Sequence, residues 1–545
     1  MPHFDANHTA AEVLRYHEET KHHYQRYARS AGYMDWENQP NPFRFYENTR
    51  RIELPLLKQD PGTSHPGLYR RGDNPIQDFT LETIAGVLEL SLGLSAWKAA
   101  GRSQWSLRMN PSSGNLHPTE AHLILPELPA VPAGIYHYNA LTHCLEERAL
   151  LAAEMQRQIS THLGGSGFLI GLSSIFWRES WKYGERAFRY CNHDVGHALA
   201  AVSIAANLFG WKATYLNGLS DDALDTLLGF DKTRFPDLEE EHPDLLCCIH
   251  PGDRTDIPRA LPQSLIADFG RLAFEGTPNA LSKQRINWQI IYRTAHLTRK
   301  PATPPERYAL GPGPWRRHSA ASHLTAAQII RRRRSATAFD RSGSLKKEQF
   351  LAMLEKTLPG STCAPFDVEL MDPSIHLLIF LHAVSDLAPG LYCLLRRGED
   401  VDFIKKNARP HFAWQTIEAD LPLYLLEEGN LRQQAQMVSC HQEIAGDGAF
   451  SLGMIGIFSD TISRAPYRYR QLFWETGMIG QVLYLEAEAY GLRGTGIGCF
   501  FDDAVHEILG IEGNRYQSLY HFTVGKPIED PRLTTYPPYR HLPGR

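Results

Sequence analysis

No CxxC pair, no long apolar run and no large excess of charge of either sign occurs in these 545 residues. The eight cysteines are scattered, from Cys144 and Cys191 to Cys363 and Cys499, and only Cys247 and Cys248 are adjacent. That spacing excludes the recognisable zinc and iron–sulfur patterns. No stretch reaches the roughly 18 apolar residues that a membrane-spanning helix needs. The opening segment reads as a polar helix and lacks the apolar core of a signal peptide. These absences set the expectation of a cytoplasmic protein with free thiols and no membrane partner. A formal net charge of −5 provides no field for a phosphate backbone, so nucleic acid is not expected as a partner.

What is there is ordinary globular material, 43% hydrophobic and 21% charged. The chain is longer than the roughly 250–300 residues at which single cores stop growing, so two domains of similar size are expected. An internal repeat bears on this directly. Residues 183–230 align without a gap on residues 464–511 at an offset of 281, with ten identical pairs. Among them are Arg189 with Arg470, Gly196 with Gly477, Gly210 with Gly491, and Asp221-Asp222-Ala223 with Asp502-Asp503-Ala504. Asp194 with Glu475 and Phe209 with Tyr490 are conservative pairs in the same register.

Each copy predicts an apolar-periodic helix (His197 to Phe209; Met478 to Tyr490) closed by a glycine, then a short strand and a second helix. Upstream lie strand-like runs, Ala121 to Leu125 and Ile375 to Phe380, followed by the turns Gly134-Ile135-Tyr136 and Gly390-Leu391-Tyr392. A stretch rich in proline and glycine, with Pro301, Pro304, Pro305 and Gly311-Pro312-Gly313-Pro314, has the composition of a connector. The expected division is a helical extension over 1–40, a first unit over 41–274, a connector over 275–322 and a second unit over 323–545.

Three segments carry candidate chemistry and are shared unequally between the copies. Arg108-Met109-Asn110-Pro111-Ser112-Ser113-Gly114-Asn115-Leu116-His117-Pro118 is dense in small donors, and read alone it is equally a plain turn. Arg331 to Arg334, followed by Ser335, is either a solvated charged face or a phosphate site, because guanidinium forks match phosphate oxygens bidentately. Lys182-Tyr183 pairs two groups able to move protons, although such a pair is ordinary surface in most proteins. The second copy has Ser463 and Arg464 there, so whatever the pair does is done once.

Together these segments resemble the nitroreductase-like flavoprotein superfamily, most closely its azoline (thiazoline and oxazoline) dehydrogenase branch. Arg333-Arg334-Ser335-Ala336-Thr337-Ala338-Phe339-Asp340 resembles the family's opening motif, with Thr337 where a second basic residue is common. The resemblance implies that Arg333 and Ser335 hold the phosphate of flavin mononucleotide (FMN). It implies that Ser112, Ser113 and Asn115 contact the flavin ring, and that the turn Gly494-Thr495-Gly496-Ile497-Gly498-Cys499-Phe500 lies beside its reactive edge through Gly498. Arg532, in a tail similar to the family's basic tail, would return to the phosphate, and Lys182 and Tyr183 match the catalytic pair.

The implied fold is α+β: two tandem units, each a mixed, mainly antiparallel sheet flanked by helices, joined as an intrachain pseudo-dimer. One composite flavin site is expected between the halves. The second would need Arg70-Arg71-Gly72 and Ala364-Pro365-Phe366-Asp367, which match their motifs poorly. The implied activity is an FMN-dependent dehydrogenase of azoline-type or related substrates, small-molecule or peptide. A reductase of nitro compounds or quinones is the alternative, with a reduced nicotinamide as candidate donor.

Two other readings compete. His193-Asp194-Val195-Gly196-His197 imitates the HExxH helix of zinc hydrolases, but Asp replaces Glu and the repeat puts Trp474 and Met478 at the histidine positions. No metal is therefore expected, and the histidines are read as packing or pocket groups. A peptide-binding module without catalysis is the other alternative. Gly494, Gly496 and Gly498 follow a helix, which excludes a dinucleotide-binding glycine loop.

Overall fold

A run such as Ala198-Leu199-Ala200-Ala201-Val202 has high helix propensity and no proline, and it lies within a helix with no solvent-facing side. In the computed structural model, which describes residues 6–165, 167–308, 310–311 and 321–542, this helix spans Ala187–Leu208 and all 22 residues are buried. Its counterpart spans Arg468–Ala489, the same bounds displaced by the repeat offset, and is buried from Tyr469 onward. Both helices begin ten residues earlier than their apolar periodicity indicates, because polar residues such as Arg189 and Arg470 are buried with partners in the other half. Both end at a glycine with φ +72°, Gly210 and Gly491, as the C-cap reading expects.

Each helix is faced by a seven-stranded sheet. In space the first sheet runs Arg51–Glu53, Cys144–Leu150, Gly134–Asn139, Thr119–Leu125, Phe168–Ser174, His242–Pro251, Trp211–Tyr215. The second runs Gln415–Glu418, Leu421–Glu428, Gly390–Leu394, Ile375–Leu381, Phe450–Ile457, Tyr516–Gly525, Arg493–Ile497. From the second strand on, the two orders correspond one to one. The glycine-aliphatic-tyrosine segments open strands and are not turns: Leu123 pairs with Tyr136, and Ile379 with Tyr392. Every strand pair in both sheets is antiparallel, so the expected mixed character is confined to isolated parallel bridges such as Ser335 with Gly494.

Side chains alternate between two cores. Leu123, Leu125, Leu377 and Ile379 face a single inner core that contains both long helices, whereas Ile124 and Leu378 face separate outer layers. Sheets buried on both faces read as continuous apolar runs, which is why alternation was not visible in these strands.

Three segments tie the halves together. The N-terminal helix covers only Ala6–Glu19 of the expected helical extension, and turns follow it. It is not polar all round: Val13, Tyr16 and His17 are buried, with Tyr16 edge-on to Tyr469 of the second half. The expected connector contains a helix, Gln289–Leu297, whose Ile291 enters the inner core. Its turn-rich residues Pro312, Gly313 and Pro314 lie outside the described residues. The C-terminal strand Thr534–Tyr536 crosses back to pair with Leu94–Ala100 of the first half, and Leu94 N donates to Tyr539 Oη at 2.9 Å.

The long helices cross where neither has a side chain. A Cβ on Gly196 would lie 2.2 Å from Trp474 O, and one on Gly477 would lie 2.3 Å from His193 O. Backbone cannot retreat as a side chain can, so Gly196→Ala and Gly477→Ala are each expected to cost about 1–3 kcal/mol. Thermal or urea unfolding of the variants measures this. Unchanged stability in both would mean that the helices do not touch there.

Candidate active site

A cleft with polar walls lies between the halves. It has a volume of about 600 Å³ and is walled by both units. From the first half comes the loop after strand Ser103–Arg108, which turns through Gly114, Asn115 and His117 at φ +60°, +59° and +51°. Its bonds hold it in shape. His117 N donates to Ser112 Oγ at 2.8 Å, Asn115 Nδ2 to Ser106 O at 2.9 Å, and Arg178 Nη1 to His117 O at 2.6 Å. Asn115 therefore spends its carboxamide on the loop itself, with Oδ1 held 2.9 Å from His117 Nε2. Ser113 N and Oγ both donate to Asp194 Oδ1, at 3.1 Å each.

Asp194 belongs to the first long helix. Burial pushes its carboxyl up to about 7, opposed by the hydrogen bonds from Ser112 and Ser113. The sequence reading placed no role on it, although the conservative pair Asp194 with Glu475 marked a retained acid on that helix.

The helix Phe176–Tyr183 brings Lys182 and Tyr183 to the same wall. A Cβ on Gly114 would lie 2.8 Å from Tyr183 Oη and 3.1 Å from Lys182 Nζ, so loop and pair are immediate neighbours. Burial pushes the Tyr183 phenol well above its ordinary value. Its ring stacks on Tyr190 at 4.3 Å, and Tyr190 in turn fills the place where Gly498 would carry a Cβ, at 1.9 Å. Gly498 thus follows an edge strand, Arg493–Ile497, and not the turn expected from sequence.

The second half supplies a basic end. Arg333 is buried and donates from Nε to Met109 O at 3.1 Å and from Nη2 to Arg108 O at 2.9 Å, which fastens it to the first half's loop. Ser335 Oγ lies 3.0 Å from Tyr484 Oη, which accepts from Gly496 N at 2.9 Å. Arg334, Arg493 and Lys98 complete this end, with Glu529 bonded to Arg493 at 2.6 Å. Arg493, Tyr484 and Lys98 were not singled out from sequence, since nothing local distinguishes them. Of the arginines singled out, Arg331 and Arg332 stay outside the cleft, paired with Asp60 and Glu89 and with Glu488, and Arg532 does not reach it either. Its side chain is 84% exposed and pairs with its neighbour Asp530 at 2.7 Å, because the tail leaves here for the first half.

Four polar atoms on residues lining the cleft are buried without a hydrogen-bond partner among the described residues: Asn110 Oδ1, Arg108 Nε, His117 Nδ1 and His197 Nδ1. Buried polar atoms normally have a partner, and these four lie on residues that wall the cleft. His197 Nε2 bonds Tyr520 Oη at 3.1 Å and His193 Nε2 bonds Leu519 O at 2.9 Å, so both imidazoles are engaged with one strand of the second half. Burial drives the His197 ring down to about 3, so it is neutral at pH 7.

The position related to this cleft by the repeat is filled. Arg71 forms a fork with Asp367 at 2.6 and 2.9 Å and also reaches Asn207 Oδ1 and Trp211 O. Glu475, the counterpart of Asp194, pairs with Arg396 at 2.5 Å and accepts from Ser374 N.

Fold and site define a tandem α+β protein with an unequal pair of units and a composite polar cleft. The chain belongs to the Nitroreductase family, whose model matches residues 72–239 and 330–526. A solved structure from Anabaena variabilis, assigned as a nitroreductase, shares the fold over 95% of this chain and 99% of its own, with a TM-score of 0.68 and 22% identity. The Trifolitoxin-processing protein TfxB of Rhizobium leguminosarum bv. trifolii is 28% identical over 130 residues, which make up 22% of this chain and 35% of that relative.

Asp194 makes the site measurable by pH. Its folded pKa is raised from 3.8 to about 7, so the neutral acid's contribution to stability is complete below about pH 4 and is lost as pH rises through about 7. Asp194→Asn keeps an acceptor for Ser113 and cannot ionise. Its stability relative to the parent chain is expected to rise between about pH 4 and 7 in urea unfolding; a difference independent of pH would show that the carboxylate is solvated.

Proposed function

We propose that the chain is an FMN-dependent oxidoreductase with one flavin site, composed by the two halves of an intrachain pseudo-dimer, and that it dehydrogenates azoline-type rings of a small-molecule or peptide substrate. The observation that carries this reading is the polarity of the cleft. Guanidinium groups and a serine hydroxyl of the second half line one cleft with a donor-rich loop, Lys182 and Tyr183 of the first half.

The residues fit the cofactor. Arg333, Arg334 and Arg493 with Ser335 suit a phosphate, since arginine and hydroxyl donors favour such oxygens. The orphaned acceptor Asn110 Oδ1 and the orphaned donor Arg108 Nε suit a planar ring whose edge carries both kinds of group. Gly114 and Gly498 let the loop and the segment after the edge strand pack directly on Tyr183, Lys182 and Tyr190 along this wall. Arg532, exposed and paired with Asp530, is not part of the proposed phosphate set. The Arg71–Asp367 pair at the related position supports a single flavin per chain.

FMN, when bound, supplies the hydride chemistry. The chain's residues place the substrate and handle the proton. Tyr183 keeps its proton at neutral pH, so in dehydrogenation its Oη takes the proton the substrate releases while passing its own on, and in the reductive direction it donates to the substrate; Lys182 Nζ lies 5.1 Å from the centre of its ring. Asp194, titrating near 7 behind the loop, is the wall's group that changes charge in the working range. The partial likeness to a trifolitoxin-processing protein favours a processing role. Run in reverse with a reduced nicotinamide as donor, the same site reduces nitro compounds or quinones, which the family's name favours. Eight free thiols suit a reducing, cytoplasmic setting.

The test is to release flavin by heat from the purified chain and count it against protein. One FMN per chain is expected. Two would mean that the Arg71 position also binds, and none after added FMN would overturn the flavin reading. Arg333→Ala with Ser335→Ala is expected to lose flavin. Lys182→Met and Tyr183→Phe are expected to keep it while slowing turnover by about 10²–10⁴-fold; full activity in both removes the pair from the mechanism.

A further inference from the structure

Six of the eight cysteines are buried and two are not: Cys440 and Cys499. Burial pushes buried thiols such as Cys248, Cys363 and Cys393 up to about 12, which makes them inert. Cys499 is different. It follows Gly498 at the end of the edge strand and lines the cleft. Cys440 lies in the turn after helix Arg432–Val438, where Cys440 and His441 adopt φ +53° and +60°.

Two bonds hold the turn and the cleft wall together around these thiols. Phe501 N donates to Val438 O at 2.9 Å, and Gln442 Nε2 donates to Cys499 O at 2.8 Å and to Ser439 O at 2.9 Å. Each cysteine stands two residues from one end of the first of these bonds. The groups facing Cys499 are Cys440, His22, Arg186, Tyr27, Tyr183 and Tyr190. Hydrogen bonding from Cys440 is the largest influence on the Cys499 thiol and, with His22 and Arg186 against the cost of burial, holds it below the ordinary thiol value. Cys440 is pushed upward, first by that same bond and then by burial. Of the two sulfurs Cys499 is thus the one that loses its proton first, the arrangement of an attacking and a resolving cysteine.

We propose that Cys499 and Cys440 are a thiol–disulfide exchange site on the cleft wall, taking low-molecular-weight disulfides. The Cys499 thiolate attacks one sulfur of oxidised glutathione, forming a mixed disulfide and releasing one glutathione thiolate. Cys440 gives its proton to solvent and attacks the Cys499 sulfur, and the second glutathione thiolate leaves. One S–S bond is broken and one formed, two electrons pass from the protein to glutathione, and both released thiolates take protons from solvent. Closure ties the segment Gly498-Cys499, just beyond the edge strand, to the 439–442 turn, so the cleft wall changes with the thiol state. The chemistry requires no flavin.

The experiment uses the full chain, equilibrated in glutathione buffers of graded potential, acid-quenched, alkylated under denaturing conditions and read by mass spectrometry. Two of the eight thiols are expected to become protected, with residues 440 and 499 in one cross-linked peptide. Native-state alkylation of Cys499 by iodoacetamide is expected to follow an ionisation below that of an ordinary thiol, and Cys440→Ser to raise it. Cys440→Ser is expected to trap glutathione on Cys499, and Cys499→Ser to take up none at Cys440. Eight reactive thiols at every potential, or a Cys440→Ser chain that takes up no glutathione, would overturn the proposal.

Discussion

The structure depends on one close contact, the crossing of the two long helices at Gly196 and Gly477. A helix normally keeps 8–10 Å from its neighbour because side chains intervene. Here the backbones meet, and the approach lets each half reach into the other. Arg189 of the first helix pairs with Asp502 of the second half at 2.5 Å, and Arg470 of the second helix pairs with Asp221 of the first half at 2.6 Å. These four residues are two of the repeat's identical pairs, so the exchange is reciprocal, as at a two-fold interface. Buried guanidinium and carboxylate groups are costly unless paired. Each half therefore leaves charges that only the other satisfies.

From this symmetric frame the two related positions have diverged in opposite directions. On one side the walls keep polar atoms unspent: the acceptor Asn110 Oδ1, Arg108 Nε and His117 Nδ1 are buried without partners among the described residues. On the other side the same frame carries groups that satisfy one another, Arg71 with Asp367 and Glu475 with Arg396. Tyr484, which bonds Ser335 at the cleft, is matched across the repeat by Ser203, which accepts from Arg71 instead. An ion pair and a bound anion are alternative ways to neutralise a buried arginine, and the Arg71 position uses the first.

The cleft's electrostatics follow from burial more than from net charge. The long helix that carries Asp194 and His197 has no solvent face, so its acid is pushed up towards neutrality and its imidazole is driven down. Cys499 escapes this rule because hydrogen bonds from Cys440 and His22 outweigh the cost of burial. The segment that supplies His22 is the one that the sequence marked only as a polar extension. It is fastened by Arg186, which donates to Thr20 O at 2.8 Å and to Asp502.

Much of this was legible in the chain itself. The repeat register predicted two matching units, the glycine caps and the elements after them, because a helix period and a left-handed terminus are local properties of the residues that make them. The segments that gather at the cleft were also legible, since Ser112, Ser113, Lys182, Arg333, Ser335 and Gly498 stand in recognisable local patterns. Other features were settled only when the chain folded. Arg532 was placed at the phosphate end by pattern, yet the tail turns away to pair with residues 94–100, a contact with no local signal. Arg493, Tyr484 and Lys98 came to the cleft through strand pairing and helix packing between distant segments. Sequence supplied the donors and acids, but which of them are spent on one another and which are left facing the cleft is set by contacts between halves, because desolvation and pairing act through space and not along the chain.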